Sequence, residues 1–214
     1  MTAKIPYIIV VGIDYSGVSR LALREALRTA SERAASEVHA VHVDPHLASG
    51  EDESSASPAV TEALQRLHAL VVEEVERFRA SEPPPVGAPM RVVSHVRVGA
   101  PSKEIAQFAT DLAADLAVVG THGEKGLSRV LLGSVAHSVV TLSPCPVLVV
   151  RDKVTSYVPG IEPPCPRCLE ARRQSGGREL WCDQHRARHG QRHHYYQDDR
   201  SSEEVNFPLV FHGS

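Results

Sequence analysis

The stretch GTHGEKGLSRVLLGSV, Gly120 to Val135, follows directly on the apolar run DLAVV. Glycines at Gly120, Gly123 and Gly133 precede Ser134 and a renewed apolar pattern. A short continuous apolar run bounded by glycine reads as a buried strand, and Val135, Ser138, Val139 and Leu142 then recur at helical spacing. The segment is therefore strand, glycine-bearing loop and helix. Three readings of the glycines stand open: a flexible turn, close packing of helix on sheet, or clearance for an anion. In the third, the backbone N–H groups and dipole of the helix start favour negative charge, and Ser134 can cap the helix or donate to a phosphate. The loop lacks the Gly-Lys-Ser/Thr ending of a P-loop, and its glycines are spaced more widely than in the dinucleotide fingerprint.

Working outward, residues 7–13 form an apolar run ending in GIDYSG, a buried strand followed by a turn. Leu23, Ala26, Leu27, Ala30 and Ala34 predict a helix over 18–35. EVHAVHVD alternates like a strand, and PHLASGEDESSASP reads as a solvated loop. Leu64, Leu67, Val71, Val75 and Phe78 share one face of a second helix, which the prolines of SEPPPVGAP stop. RVVSHVRVG reads as an edge or half-exposed strand, Ile105, Phe108, Ala109 and Leu112 as a third helix, and CPVLVV as the closing strand. Five strands alternating with helices predict an α/β fold with a five-stranded parallel, doubly wound sheet and right-handed crossovers. Such sheets bind ligands at the carboxyl ends of their strands, where DYSG and GTHG both fall.

The 214 residues suffice for one full domain and an appendage. The formal net charge of −3 gives no sign of a general nucleic-acid binder. YIIVVGI is a first strand rather than a leader, and no run approaches the roughly 18 apolar residues of a membrane span. A cytoplasmic chain is expected. The alternation ends after Arg151, giving a domain over 1–152, a linker over 153–164 and a tail over 165–214.

The α/β pieces resemble the universal stress protein family in its nucleotide-binding branch. The family's motif is two glycines separated by two residues, then nine residues, then Gly-Ser or Gly-Thr; Gly120, Gly123, Gly133 and Ser134 match it. VVGIDYSGVSRLALREAL resembles the family's opening, VHVDP its second strand, VRVGAP its third, and LLGSV with SPCPVLVVR its closing helix and strand. The resemblance covers about residues 4–152. It implies an adenine nucleotide alpha-hydrolase-like fold that binds ATP or a related adenine nucleotide, with or without Mg²⁺, usually as a homodimer through the last strand. Carried over, Gly12, Asp14 and Ser16 lie beside the nucleotide, and Val43, or Val41 one register step away, contacts adenine through its backbone. Gly120 and Gly123 line ribose and phosphates, and Gly133, Ser134 and Val135 hold the phosphates. Lys125 and Arg129 either pair with phosphate or stay solvated. On the residues alone, Asp14 caps the first helix or its turn, His122 is an exposed loop residue, and Cys145 is a small core residue. Gly12 stands where some relatives carry proline. No residue is assigned a catalytic role, since phosphoryl transfer needs a held metal and a positioned water, and one acid near the loop falls short of that.

The tail carries a separate signal. Cys165, Cys168, Cys182 and His185 form C-x2-C, thirteen residues, then C-x2-H. Zinc takes four N/S ligands in a tetrahedron, and two hairpin knuckles joined by a reversal at SGG would supply them. A tail of about fifty residues with few aliphatics lacks a core of its own, and zinc contributes about 10–16 kcal/mol in small peptide modules. Four good ligands make the ion structural rather than catalytic; His189, His193 and His194 are alternative ligands, and Trp181 is expected to pack over the site. The whole reads as an adenine-nucleotide-binding stress-response regulator with a metal-stabilised extension and an unidentified protein partner for the tail. The alternatives are a metal- or redox-responsive adaptor on a dimer platform, and a slow ATPase.

Overall fold

Uninterrupted apolar strands need cover on both faces, and the chain supplies it with two helices on each side. The computed structural model describes residues 5–47, 57–81, 90–121, 132–152 and 162–190. Strands β1 (Tyr7–Gly12), β2 (Ser36–Asp44), β3 (Met90–Val98), β4 (Leu116–Gly120) and β5 (Val147–Val150) form one parallel sheet in the order β3-β2-β1-β4-β5. Helices α1 (Gly17–Ser31) and α2 (Pro58–Ser81) share one core with Ile9, Val11, Val38 and Val118. Helices α3 (Pro101–Asp111) and α4 (Ser134–Leu142) share the other with Val10, Val41 and Val119. The five-stranded, doubly wound α/β expectation holds, with β3 on an edge.

Some boundaries differ from the periodicity. Helix α1 stops at Ser31, short of the expected 35, and Ala34 is exposed. Ser36 is the reason: its buried hydroxyl donates to the Ala30 carbonyl at 3.0 Å, closing the helix end as β2 begins. In α4 the buried residues are Ala136 and Val139, whereas Val135 is 39% and Leu142 51% exposed.

Two polar features fasten the core. Glu74 on α2 is fully buried and accepts from Arg20 at 2.9 Å and Arg24 at 2.7 Å, both on α1. Burial alone would raise its carboxyl, but the two arginines outweigh that and hold it below the ordinary value. On β2 and β3, His39 Nε2 lies 3.2 Å from Glu37 Oε2 and its Nδ1 3.0 Å from His95 Nε2. A carboxylate only accepts, so His39 carries its proton on Nε2, its Nδ1 accepts, and His95 Nε2–H donates. Both rings are neutral and pack near Phe108 of α3. Burial lowers His39; burial, then His39, Arg91 and Arg97, push His95 down to about 4.

The chain divides into two compact units, Met1–Lys153 and Val154–Ser214. The described part of the second is helical, not the irregular hairpins expected from the cysteine spacing. Helix α5 (Pro166–Gln174) starts with proline in its first turn, and α6 (Asp183–Gly190) follows. The SGG reversal ends α5: Gly176 and Gly177 adopt φ of 62° and 89° and donate to Arg173 and Arg172 carbonyls. That pair of bonds is a helix-closing motif which favours glycine, because a Cβ penalises left-handed backbone.

Candidate functional site

At the sheet's switch in strand order, β1 lies between β2 and β4, and the chain leaves β1 and β4 at the same carboxyl edge. Beyond β1, Ile13 N–H donates to Val41 O at 2.8 Å, extending the ladder. Asp14 Oδ1 accepts from Ser16 N–H at 3.0 Å, and Ser16 Oγ accepts from Ser19 N–H at 3.1 Å, so the turn after β1 runs into a capped helix. Beyond β4, Thr121 N–H donates to Val150 O at 2.8 Å and Thr121 O accepts from Gly133 N–H at 2.6 Å. The second bond brings the start of α4 back against the tip of β4.

Between these tips lies a cavity of about 320 Å³, lined by Gly12, Ile13, Asp14, Val41, Val43, Val119, Gly120, Thr121, Gly133, Ser134, Val135 and Ala136, with Pro101 and Ile105 from α3. Its lining is mostly apolar, with two polar ends. Gly133 is the N-cap of α4 and brings no capping side chain. Its carbonyl takes the first helical bond, from His137 N–H at 2.9 Å, so the amides of Ser134, Val135 and Ala136 precede any intrahelical acceptor. Thr121 Oγ1 is buried and unpartnered among the described residues. An unsatisfied buried hydroxyl costs about 1–3 kcal/mol.

Of the residues singled out from the sequence, Gly12, Asp14, Val43, Gly120, Gly133, Ser134 and Val135 come together around this cavity. Val41 lines it as well, so the register alternative is not needed to reach it. Ser16 is not brought in: it is the buried N-cap of α1. Gly123, with His122, Lys125 and Arg129, lies outside the described residues. Ile13, Pro101, Ile105, Val119, Thr121 and Ala136 were missed; GAP after β3 and the threonine beside Gly120 were the available signals.

The glycine question divides by position. A Cβ on Gly120 would sit 3.0 Å from Val18 Cγ1 and 3.3 Å from the Val18 carbonyl carbon, so this glycine lets α1 approach β4. The packing reading therefore applies to Gly120. A Cβ on Gly12 would meet only the flexible tip of Ile105, at 2.9 Å from Cδ1, and nearby Val119.

In the tail, the ligand atoms of Cys165, Cys168, Cys182 and His185 all lie within 4.8 Å of one another. Cys168 Sγ is 3.7 Å from Cys182 Sγ and 3.3 Å from His185 Nδ1, which is 3.7 Å from Cys182 Sγ. Sulfur and nitrogen ligands at ordinary zinc distances stand about 3.4–3.8 Å apart at tetrahedral corners, so the donor set fits that ion. All four cysteines of the chain are free thiols. The backbone N–H of Cys168, ahead of that of Arg167, lowers the Cys165 thiol to about 7. Trp181 lines a cavity of about 200 Å³ with Cys165, Cys168 and His185. The side chain of His189, and all of His193 and His194, lie outside the described residues.

Strand order, layers and a cavity at the switch point define a doubly wound α/β domain with a ligand cleft. Residues 7–151 match the family model described as universal stress protein family, and the chain belongs to that family. A universal stress protein of Methanocaldococcus jannaschii is 34% identical over 144 residues, 67% of this chain and 81% of the relative. One from Thermus aquaticus is 38% identical over 94 residues, 44% of this chain and 65% of the relative. Among solved structures, a universal stress protein in complex with cAMP superposes with a TM-score of 0.51 at 26% identity, covering 67% of this chain and 96% of that one. The family match ends before the tail.

Proposed function

We propose that the chain is an adenine-nucleotide-binding regulator of the stress response, cytoplasmic, with a tail organised by a structural zinc ion. The observation that carries the nucleotide reading is the cleft between the β1 and β4 tips, where the uncapped amides of α4 face an apolar slot. Val41, Val43 and Ile105 give a planar base its apolar surface, and the α4 amides of Ser134 and Val135 give phosphate its donors. The similar structure that holds cAMP supports the same chemistry here. Gly12 and Asp14 stand at the β1 side of the ligand, and Gly123 belongs to the same motif. Asp14 is the one carboxylate among the described residues lining the cleft, which favours binding, with or without Mg²⁺, over turnover. Titration with ATP is expected to saturate, and Gly133→Val to weaken it at least tenfold; no saturable binding by the wild-type chain would reject the reading.

The zinc reading stands on the four converging donors. Elemental analysis should find about one zinc per chain, lost in Cys182→Ser; a reduced, metal-free wild type would reject it. The same cluster keeps a metal- or redox-responsive adaptor as the second reading. For a homodimer, the support is the position of β5 at the edge of the described sheet, together with exposed Leu148, Val140 and Leu142. Native mass spectrometry reads nucleotide, metal and subunit number in one spectrum.

A further inference from the structure

Thr121 is the first residue beyond β4, and its backbone is tied on two sides, to Val150 at 2.8 Å and to Gly133 at 2.6 Å. β5 and the start of α4 thus fix where its side chain stands. That residue is only 9% exposed and lines the cleft; its hydroxyl oxygen is itself closed to solvent and has no hydrogen-bond partner among the described residues, so a turn about χ1 is what would carry it to a ligand in the cleft. Buried hydroxyls are nearly always satisfied, and valine would fill the same shape without an unmet polar group. The first residues of the nine-residue helix α4 line the same cleft, and among the described residues no side chain caps their amides. Amides only donate, so whatever they receive must accept several bonds, as a phosphate oxygen does.

We infer that the Thr121 hydroxyl is a ligand-positioning group, donating a hydrogen bond to a phosphate oxygen of the nucleotide seated at the N-terminus of α4. The inference rests on the nucleotide reading and adds to it a discriminating group. A hydroxyl that is unsatisfied without ligand and satisfied with it favours the phosphorylated ligand over the bare nucleoside. Because the residue is braced by β5 and α4, little ordering opposes the bond.

The test compares the full-length wild type, Thr121→Val and Thr121→Ser by calorimetric titration with adenosine 5′-monophosphate and with adenosine, alongside melting without ligand. Thr121→Val is expected to weaken the monophosphate about five- to tenfold, where tenfold is about 1.4 kcal/mol, and to leave adenosine within about twofold. Thr121→Ser keeps the hydroxyl and stays near wild type, and ligand-free Thr121→Val melts at or above the wild-type temperature. Monophosphate binding by Thr121→Val within about twofold of wild type overturns the inference. Equal losses for both ligands overturn the phosphate assignment, as does a lowered ligand-free melting temperature that accounts for the weaker binding. No nucleotide binding by the wild type sinks the nucleotide reading and this inference together, whereas wild-type binding with an indifferent Thr121→Val sinks this inference alone.

Discussion

The two units of this chain solve the same problem with different materials. The α/β unit buries Ile9, Leu23, Leu27, Val38, Leu67 and Val118 almost completely, and apolar area removed from water stabilises it at about 25 cal/mol per Å². In the described tail, Cys168 is the one buried hydrophobic residue, and Leu169 stays 43% exposed. Its two short helices converge on sulfur and imidazole instead. A unit with a core tolerates local losses; on the zinc reading proposed above, a unit without one depends on its ligand cluster.

The largest effect should therefore come from removing metal. Chelation, or Cys182→Ser, is expected to abolish the helical signal and protease resistance of the tail while the α/β unit melts as before. A tail that keeps its amide protection without metal breaks the contrast. The next effect is inside the core: replacing Arg20, Arg24 and Arg77 with Ala removes all three arginines that pair with buried Glu74, and should cost about 3–5 kcal/mol in denaturant unfolding. Gly120→Ala follows, at about 1–3 kcal/mol, because its methyl would press on the backbone of α1. Gly12→Ala should cost less, since the side chain of Ile105 can give way.

The smallest effect separates the units by pH. His39 and His95 have folded-state values below the ordinary 6.5, so the unfolded chain binds more protons in this range. Their contribution is complete above about pH 6.5 and is lost as pH falls toward 4, with Glu37, Arg91, Arg97, Glu104 and Asp111 as the surrounding charges. Allowing for solvent screening, about 1 kcal/mol should go between pH 6.5 and 5. His95→Asn should flatten that slope in pH-dependent melts of the α/β unit.

How much of this was legible follows from what each residue needs. Strands such as LAVVG announce themselves because both faces need cover, and the half-exposed β3 showed in its alternation. The burial of Glu74 was not legible, since the pattern of α2 cannot reveal two arginines waiting on α1. For the cleft, the two strand tips were readable from DYSG and GTHG. Ser16 was not separable from its neighbours there, because a cap and a ligand-binding hydroxyl look alike before geometry. Thr121 escaped because an unmet hydrogen bond is a property of packing.

The bond from Gly133 N–H to Thr121 O has one more consequence. It joins the two ends of the intervening segment, so whatever chain lies between them closes a circuit already shut by the fold. Lengthening such a circuit costs little, about 0.6 kcal/mol for each doubling. Insertions between Thr121 and Gly133 should thus leave the melting of the α/β unit nearly untouched, even where they disturb the spacing of the glycine motif.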